Sequence, residues 1–283
     1  MGNDKGVFTP AFFDELINVA KNCRISKIHF TGGEPLLEKK LPDFIKRIKR
    51  KSCLDIGVTT NGILLGSYSK KLYEAGLDRI NISIPTLDPK KYKLICGQEA
   101  LKQVLQNIDD LAVFSYNPIK INIPVFKGNV DEIGDFLTYF LGKKDILIRF
   151  FSVLPNQGLK FQDCLCDREI TEILEENIRS LTKDLKNEAI RRVFYRPLKK
   201  PSLKICTTCS KQVICRDQAK AIRITKDGKF SLCLLNPKYS FEMTKLSEMQ
   251  KGVKKLLAYY YAGVKNDGSS DTRDNRRSGL LHS

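Results

Sequence analysis

The feature that most constrains this chain is a repeating pattern: helical and extended periodicities alternate five times from residue 10, each unit taking about 30 residues. Residues 10–22 place apolar side chains at Phe12, Phe13, Leu16, Ile17 and Ala20, the spacing of an amphipathic helix with Pro10 in its first turn. Residues 26–30 then read as a strand. The pair recurs as helix 41–51 with strand 55–59, and again as helix 69–75, closed by Gly76, with strand 79–84. Helix 99–113 with strand 119–125 and helix 131–141 with strand 146–153 complete the series. Each return to a parallel strand needs a crossover, and a helix supplies it. An α/β fold with a parallel sheet is expected, either doubly wound or a partial (βα) barrel. No Gly-x-Gly-x-x-Gly follows any of these strands, which speaks against a dinucleotide-binding sheet.

In a barrel the chemistry collects at the C-terminal ends of the strands, and the polar motifs of this sequence stand there. Thr31-Gly32-Gly33-Glu34-Pro35 follows the first strand; its glycines let backbone approach a ligand, and Glu34 offers a carboxylate to an ammonium group. Thr59-Thr60-Asn61-Gly62 follows the second strand, and the third runs into Ser83-Ile84-Pro85-Thr86-Leu87-Asp88-Pro89. Taken singly, each is an ordinary strand-to-helix turn.

The nine cysteines divide into scattered and clustered sets. Cys23, Cys53 and Cys96 read as isolated thiols, and Cys164 and Cys166 stand too close together to form a cluster set. Cys206-x2-Cys209-x5-Cys215-x17-Cys233 supplies four soft ligands, a set suited to an iron-sulfur cluster and also to zinc. Residues 221–233 between the last two read as a β-hairpin turning at Asp227-Gly228, which would aim Cys233 back at the other cysteines.

Composition fits a globular chain, with 42% hydrophobic and 29% charged residues. No apolar run approaches the roughly 20 residues of a membrane span, and no apolar segment follows the first residues as in a secretory leader, so the cytoplasm is the expected compartment. The formal charge of +17 suits a phosphate-bearing ligand or nucleic acid. The lysines of helix 41–51 read as a solvated face.

Taken together and in this order, the strand-end motifs resemble the radical S-adenosylmethionine (SAM) superfamily and, within it, the GTP 3',8-cyclases of molybdenum cofactor biosynthesis. Thr31-Gly-Gly-Glu-Pro-Leu-Leu37, Thr59-Thr-Asn-Gly62 and Arg79-Ile-Asn-Ile-Ser83 carry the resemblance, which runs from about residue 8 to residue 235. It implies a partial TIM-like (βα) barrel over 1–160 and a cysteine-rich iron-sulfur annex over 161–240, followed by a helix at 241–265 and a disordered tail at 266–283. It implies SAM binding by Gly32, Gly33, Glu34 and Ser83 and by the backbone of Leu154, which stands where the family has methionine. It implies GTP contacts from Thr60, Lys120, Arg149 and Arg223, and an auxiliary 4Fe-4S cluster on Cys206, Cys209 and Cys233, with Cys215 additional. Family members cleave SAM reductively, and the resulting radical takes hydrogen from GTP; a reductant is the further partner implied. A homodimer stays open, and nucleic acid is not expected.

Four departures stand out. The family's arginine before Thr-Gly-Gly-Glu is His29, and its aspartate after the third strand is Pro85. The Gly-Gly tail of the family is missing. The Cys-x3-Cys-x2-Cys set that holds the SAM-activating cluster is also missing, which points to a true start upstream of Met1 or to a non-catalytic relative; the first unit opening at its helix favours the former. Without a strand ahead of that helix, the sheet is expected to have an exposed edge. No residue is assigned a catalytic role. Another auxiliary-cluster radical enzyme, acting on a peptide or small molecule, and a non-catalytic nucleotide- or nucleic-acid-binding relative are the alternatives.

Overall fold

The computed structural model describes residues 8–116, 119–141, 143, 145–153, 163–165, 167–184, 221–225, 228–231, 240–243 and 245–266. The first helix, α1 (Pro10–Asn22), starts where Thr9 Oγ1 accepts from the Phe12 amide, with Pro10 behind it, and it buries Phe12, Phe13, Leu16, Val19 and Ala20. Strand β1 (Lys27–Phe30) leads to α2 (Leu41–Lys51), whose Asp43 lies in the first turn and Lys49, Arg50 and Lys51 in the last, each end complementing the helix dipole. Strand β2 (Asp55–Thr60), α3 (Leu65–Glu74) and β3 (Arg79–Ser83) continue the alternation.

The connection after β3 holds an extra helix. In α4 (Pro89–Cys96), Asp88 caps the Lys90 and Lys91 amides and Gly97 ends the helix at φ +74°. Then come α5 (Leu101–Asp110), β4 (Ile119–Val125), α6 (Ile133–Leu141) and β5 (Ile146–Ser152). Two further helices, α7 (Asp167–Asp184) and α8 (Met249–Asn266), and the short strands β6 (Ala221–Ile224), β7 (Lys229–Ser231) and β8 (Ser240–Glu242) complete the described chain.

All eight strands join one sheet in the order β5-β4-β3-β2-β1-β6-β7-β8. Strands β1 to β6 run parallel, and β7 and β8 are added antiparallel. The α/β fold with a parallel sheet expected from the repeat is therefore what forms. The expected open edge is not: β6 pairs in parallel with β1, Lys27 to Phe30 lying opposite Ala221 to Ile224. The β6–β7 hairpin turns near Gly228, whose amide donates to Thr225 O at φ +79°.

Strand alternation sorts the sheet into two faces. Ile28, Phe30, Ile56, Val58, Ile80, Ile82, Ile121, Ile123, Ile148, Phe150, Ile222 and Ile224 are buried on the helix side. Phe13 stacks on Phe44 at 4.3 Å between ring centroids, joining α1 to α2, and Phe230 stacks on Phe241 at 5.0 Å to hold β7 to β8. Each such ring contributes about 1.5–3 kcal/mol of burial. The opposite face carries Lys27, His29, Thr59, Arg79, Asn81, Ser83, Lys120, Asn122, Arg149 and Arg223. A sheet whose second face is this polar must line a ligand-binding lumen or meet water.

Candidate active site at the strand ends

The site is built from the loops that leave β1, β2 and β3. After β1 the Thr31 amide donates to Ile224 O, tying the turn to β6. Gly32 follows at φ +81°, and a Cβ there would meet Thr225 Cγ2 at 2.2 Å, so glycine is required on both conformational and steric grounds. Gly33 has φ +52° and open space around its Cα. A ligand can therefore reach the Gly33 backbone while Gly32 packs against protein.

Glu34 organises the mouth. Its Oε1 accepts from Thr60 Oγ1 at 2.7 Å and from the Leu36 amide at 3.0 Å, capping the turn at Pro35–Leu37, and its Oε2 accepts from the Asn61 amide at 2.8 Å. Three donors leave Oε2 with an acceptor position to spare. Thr60 is buried, donating to Glu34 and accepting from the Gly62 amide at 3.1 Å. Thr59, one residue earlier, faces the lumen instead.

Behind the mouth lies a supporting network that sequence reasoning missed. Buried Glu132 accepts from Thr86 Oγ1 and the Leu87 amide, and its Oε1 sits 3.0 Å from Lys91 Nζ. Buried Asn129 donates to Pro85 O and Pro124 O while its Oδ1 accepts from the Phe126 amide. These two side chains fix the β3 and β4 loop ends on one another. Their partners lie more than 40 residues away for Thr86, Leu87 and Pro85, a distance at which no local pattern signals a contact.

The lumen wall is strongly cationic. Lys120 on β4 is half-buried, and burial followed by the neighbouring charges of Arg79, Arg149 and Lys27 depresses its pKa. Arg79 Nη2 pairs with Asp55 Oδ1 at 2.6 Å, and the buried Arg79 Nε has no hydrogen-bond partner. Buried Asn122 Oδ1 on β4 also lacks one; it stands in register between Ser83 on β3 and Arg149 on β5. Buried polar atoms are ordinarily satisfied, so these orphans mark a face built to receive something.

His29 sits in the middle of this wall. Its Nε2 lies 2.6 Å from Thr59 Oγ1 and 3.4 Å from Asn81 Nδ2, which is itself 3.3 Å from Thr59 Oγ1. Its ring lies over Gly57, where a Cβ would come within 2.4 Å of Nδ1. Burial, then the charges of Arg223, Arg79, Lys120 and Arg149, push its pKa down to about 3.

The site residues expected from the sequence therefore fall into three groups. Gly32, Gly33, Glu34 and Thr60 converge at the β1 and β2 loop ends, and Ser83 ends β3. Lys120, Arg149 and Arg223 share the lumen wall with Arg79. Leu154, Cys206, Cys209, Cys215 and Cys233 lie outside the described residues.

Comparison with known proteins agrees with this architecture. The Radical SAM superfamily profile matches residues 4–140. The probable GTP 3',8-cyclase of Pyrococcus abyssi is 32% identical over 232 residues, covering 80% of this chain and 74% of that protein. The chain belongs to the radical SAM superfamily. The GTP 3',8-cyclase of Staphylococcus saprophyticus is 30% identical over 274 residues, covering 92% of this radical SAM chain and 79% of the relative. Among solved structures, anSMEcpe with bound AdoMet and the Cp18Cys peptide superposes with a TM-score of 0.62 at 15% identity, covering 93% of this chain and 76% of its own. Streptococcus suis SuiB superposes with a TM-score of 0.55 at 15% identity, covering 89% and 59%. These two share the fold.

Radical SAM membership brings SAM and a 4Fe-4S cluster as cofactors. The strand ends fit SAM: the open Gly33 backbone, the spare acceptor on Glu34 Oε2 and the orphaned Asn122 Oδ1 beside Ser83 are complementary to an amino acid bearing a ribose. The SAM-activating cluster does not fit these residues: the sequence holds no Cys-x3-Cys-x2-Cys, and no three metal-binding side chains converge among the described residues. No helix among the described residues is long and apolar enough to cross a membrane.

Proposed function

We propose that this protein binds GTP in the barrel lumen beside SAM, as a GTP 3',8-cyclase-type member of its superfamily; that reaction converts GTP to 3',8-cyclo-7,8-dihydro-GTP. The cationic wall carries the proposal. Arg79, Lys120, Arg149 and Arg223 come from four different strands and gather around His29, with a buried guanidinium Nε still lacking an acceptor. Cations so assembled attract a polyanion, and a triphosphate supplies the charge at the correct scale. The similarity to named cyclases over most of the chain supports the guanine nucleotide as its bearer.

Radical chemistry would come from SAM together with an activating cluster, and this sequence holds no Cys-x3-Cys-x2-Cys to carry one. The residues present here do the rest of the work: Gly33 and Glu34 hold the amino-acid end of SAM, the cationic wall holds phosphate, and the sheet keeps both out of bulk water. Turnover requires a cysteine set that these 283 residues do not contain, so ligand binding is the activity proposed for them. Calorimetry with GTP, ATP and guanosine tests it. GTP is expected to bind well ahead of guanosine and ahead of ATP; GTP binding no tighter than guanosine would remove the proposal.

Cys215 favours a second reading. If it joins Cys206, Cys209 and Cys233 on one cluster, no iron is left open to a substrate base, and an auxiliary-cluster enzyme for a peptide or other small molecule is indicated. Anaerobic reconstitution followed by Mössbauer and EPR spectroscopy of Cys215→Ala decides this: an unaltered cluster leaves Cys215 outside the ligand set.

A further inference from the structure

His29 is the imidazole on a sheet face that also carries Lys27, Arg79, Lys120, Arg149 and Arg223. Its contacts admit two hydrogen-bonded states. Nε2 lies 2.6 Å from Thr59 Oγ1 and 3.4 Å from Asn81 Nδ2, so in the tautomer with its proton on Nδ1 it accepts from the Thr59 hydroxyl. Protonation would turn Nε2 into the donor to Thr59 Oγ1 and require the Asn81 amide to rotate its oxygen inward. The network can thus exist in two hydrogen-bonded forms, differing by one proton, without moving the backbone. Gly57 makes room for the ring in both.

The charges facing His29 come from every strand around it. Arg223 lies opposite on β6, with Lys27 on its own strand, Arg79 on β3, Lys120 on β4 and Arg149 on β5. Asp55 on β2 pairs with Arg79, and Glu242 on β8 lies on the same face of the sheet, opposite Lys229. Cations that keep a proton off His29 in the empty lumen stop doing so when an anion lies on them, and the anion itself then attracts the proton.

We propose that His29 is a proton-linked element of the lumen: an anionic ligand held by Arg79, Lys120, Arg149 and Arg223 enters together with one proton from solvent, which is taken up by the His29 imidazole. This rests on the lumen being an anion site, as GTP binding requires. Its consequence is that the wall gains a further positive charge only when a polyanion is present. Affinity then rises as pH falls across the range in which bound His29 is protonated and free His29 is not, up to tenfold per pH unit. A permanently charged side chain in the same place would give no such dependence.

The sequence makes the test direct, because His29 and His282 are its two histidines. In the full chain, the imidazole Cε1–H resonances are followed by NMR between about pH 5 and pH 8, alone and with inorganic triphosphate or GTP, and His29→Gln identifies the His29 signal. Free His29 is expected to stay neutral throughout, and to become imidazolium near about pH 6 when either anion is saturating. Calorimetry in buffers of different ionisation heat should show uptake of a proton by the wild-type chain in excess of that by His29→Gln, whose affinity falls about tenfold below wild type near pH 6 and converges with it at higher pH.

Bound anion with a neutral His29 at that pH, or a free His29 already protonated there, overturns the linkage and leaves the anion site standing. Binding and protonation with inorganic triphosphate, but no binding of GTP, upholds the linkage and removes the GTP reading. Failure of both anions to bind removes the two together.

Discussion

Thr60 Oγ1 donates to Glu34 Oε1 at 2.7 Å across the mouth of the barrel, so the loop after β2 holds the carboxylate of the loop after β1 in place. The Asn61 amide holds the other oxygen at 2.8 Å. With its hydroxyl buried and committed to Glu34, Thr60 supports the carboxylate proposed to hold SAM. Thr60→Val is expected to weaken SAM binding about tenfold and cost about 1 kcal/mol of stability, while GTP affinity changes little; Thr60→Ser restores both. Paired SAM and GTP titrations and urea unfolding of the two variants check this. A Thr60→Val loss confined to GTP would instead place the hydroxyl on the substrate.

Gly32 and Gly57 are glycines for different reasons, and rescue separates them. At Gly57 the obstacle is the His29 ring, 2.4 Å from where a Cβ would sit. Gly57→Ala should lose about 1–3 kcal/mol, and most of it should return in the double variant with His29→Ala. At Gly32 a Cβ meets Thr225 Cγ2 at 2.2 Å and also suffers φ +81°. Thr225→Ser removes the clashing methyl and leaves the strain, so Gly32→Ala should be rescued only in part, with about 1 kcal/mol or more remaining. Equal rescue at both sites would mean that the left-handed backbone at Gly32 costs nothing.

Period was the property most legible in the sequence. The helices at Pro10–Asn22 and Leu41–Lys51 and the strand at Ile119–Val125 fall where apolar spacing alone puts them. The strand-end motifs were equally readable, because Gly32, Gly33 and Glu34 act within one turn. What was missed depends on distance in the chain. Nothing near Lys27 announces that β6, almost two hundred residues on, will cover its strand. Likewise Asn129 looks like an ordinary loop residue, and Glu132 like an acid in the first turn of a helix, until Pro85 and Thr86 are brought against them. The helix α4 was hidden by its shortness and by its exposed Leu94 and Ile95, which blur the amphipathic pattern. His29 was visible as a substitution for arginine, but its contact with Thr59 and Asn81 is a property of strand register.

The empty protein should lose stability in mild acid, with His29 as a principal cause. Its folded pKa is pushed down to about 3 from an ordinary 6.5, so the unfolded chain takes up a proton that the folded chain refuses. The sign follows: stability is undiminished above the unfolded value and declines as pH falls from about 6.5 toward 3, by at most about 1.4 kcal/mol per pH unit. Carboxylates contribute in the same acid range, and the difference between wild type and His29→Gln isolates the histidine. The gap between their urea midpoints should narrow or reverse between about pH 7.5 and pH 5. A constant gap would show that His29 is protonated to the same extent folded and unfolded.

Lys120 and Arg149 both belong to the cationic wall, but burial separates what their loss should do. Lys120 is half-buried with its pKa depressed by burial and by Arg79, Arg149 and Lys27, whereas the Arg149 side chain is exposed. A charge shielded from water interacts more strongly with phosphate and is screened less by salt. Lys120→Met is therefore expected to weaken GTP binding about 10- to 100-fold, largely independent of ionic strength. Arg149→Ala should weaken it less than about tenfold, and raising the salt concentration should erase much of that difference. Because a bound anion favours the ammonium form, wild-type GTP affinity should also fall at a less alkaline pH than an ordinary lysine would allow, and Lys120→Arg should remove that fall. Calorimetric titration of the three variants at low and high salt, and at neutral and alkaline pH, measures all of this. An equal salt dependence for Lys120→Met and Arg149→Ala would mean that both cations meet the ligand in bulk water and that phosphate does not enter the lumen.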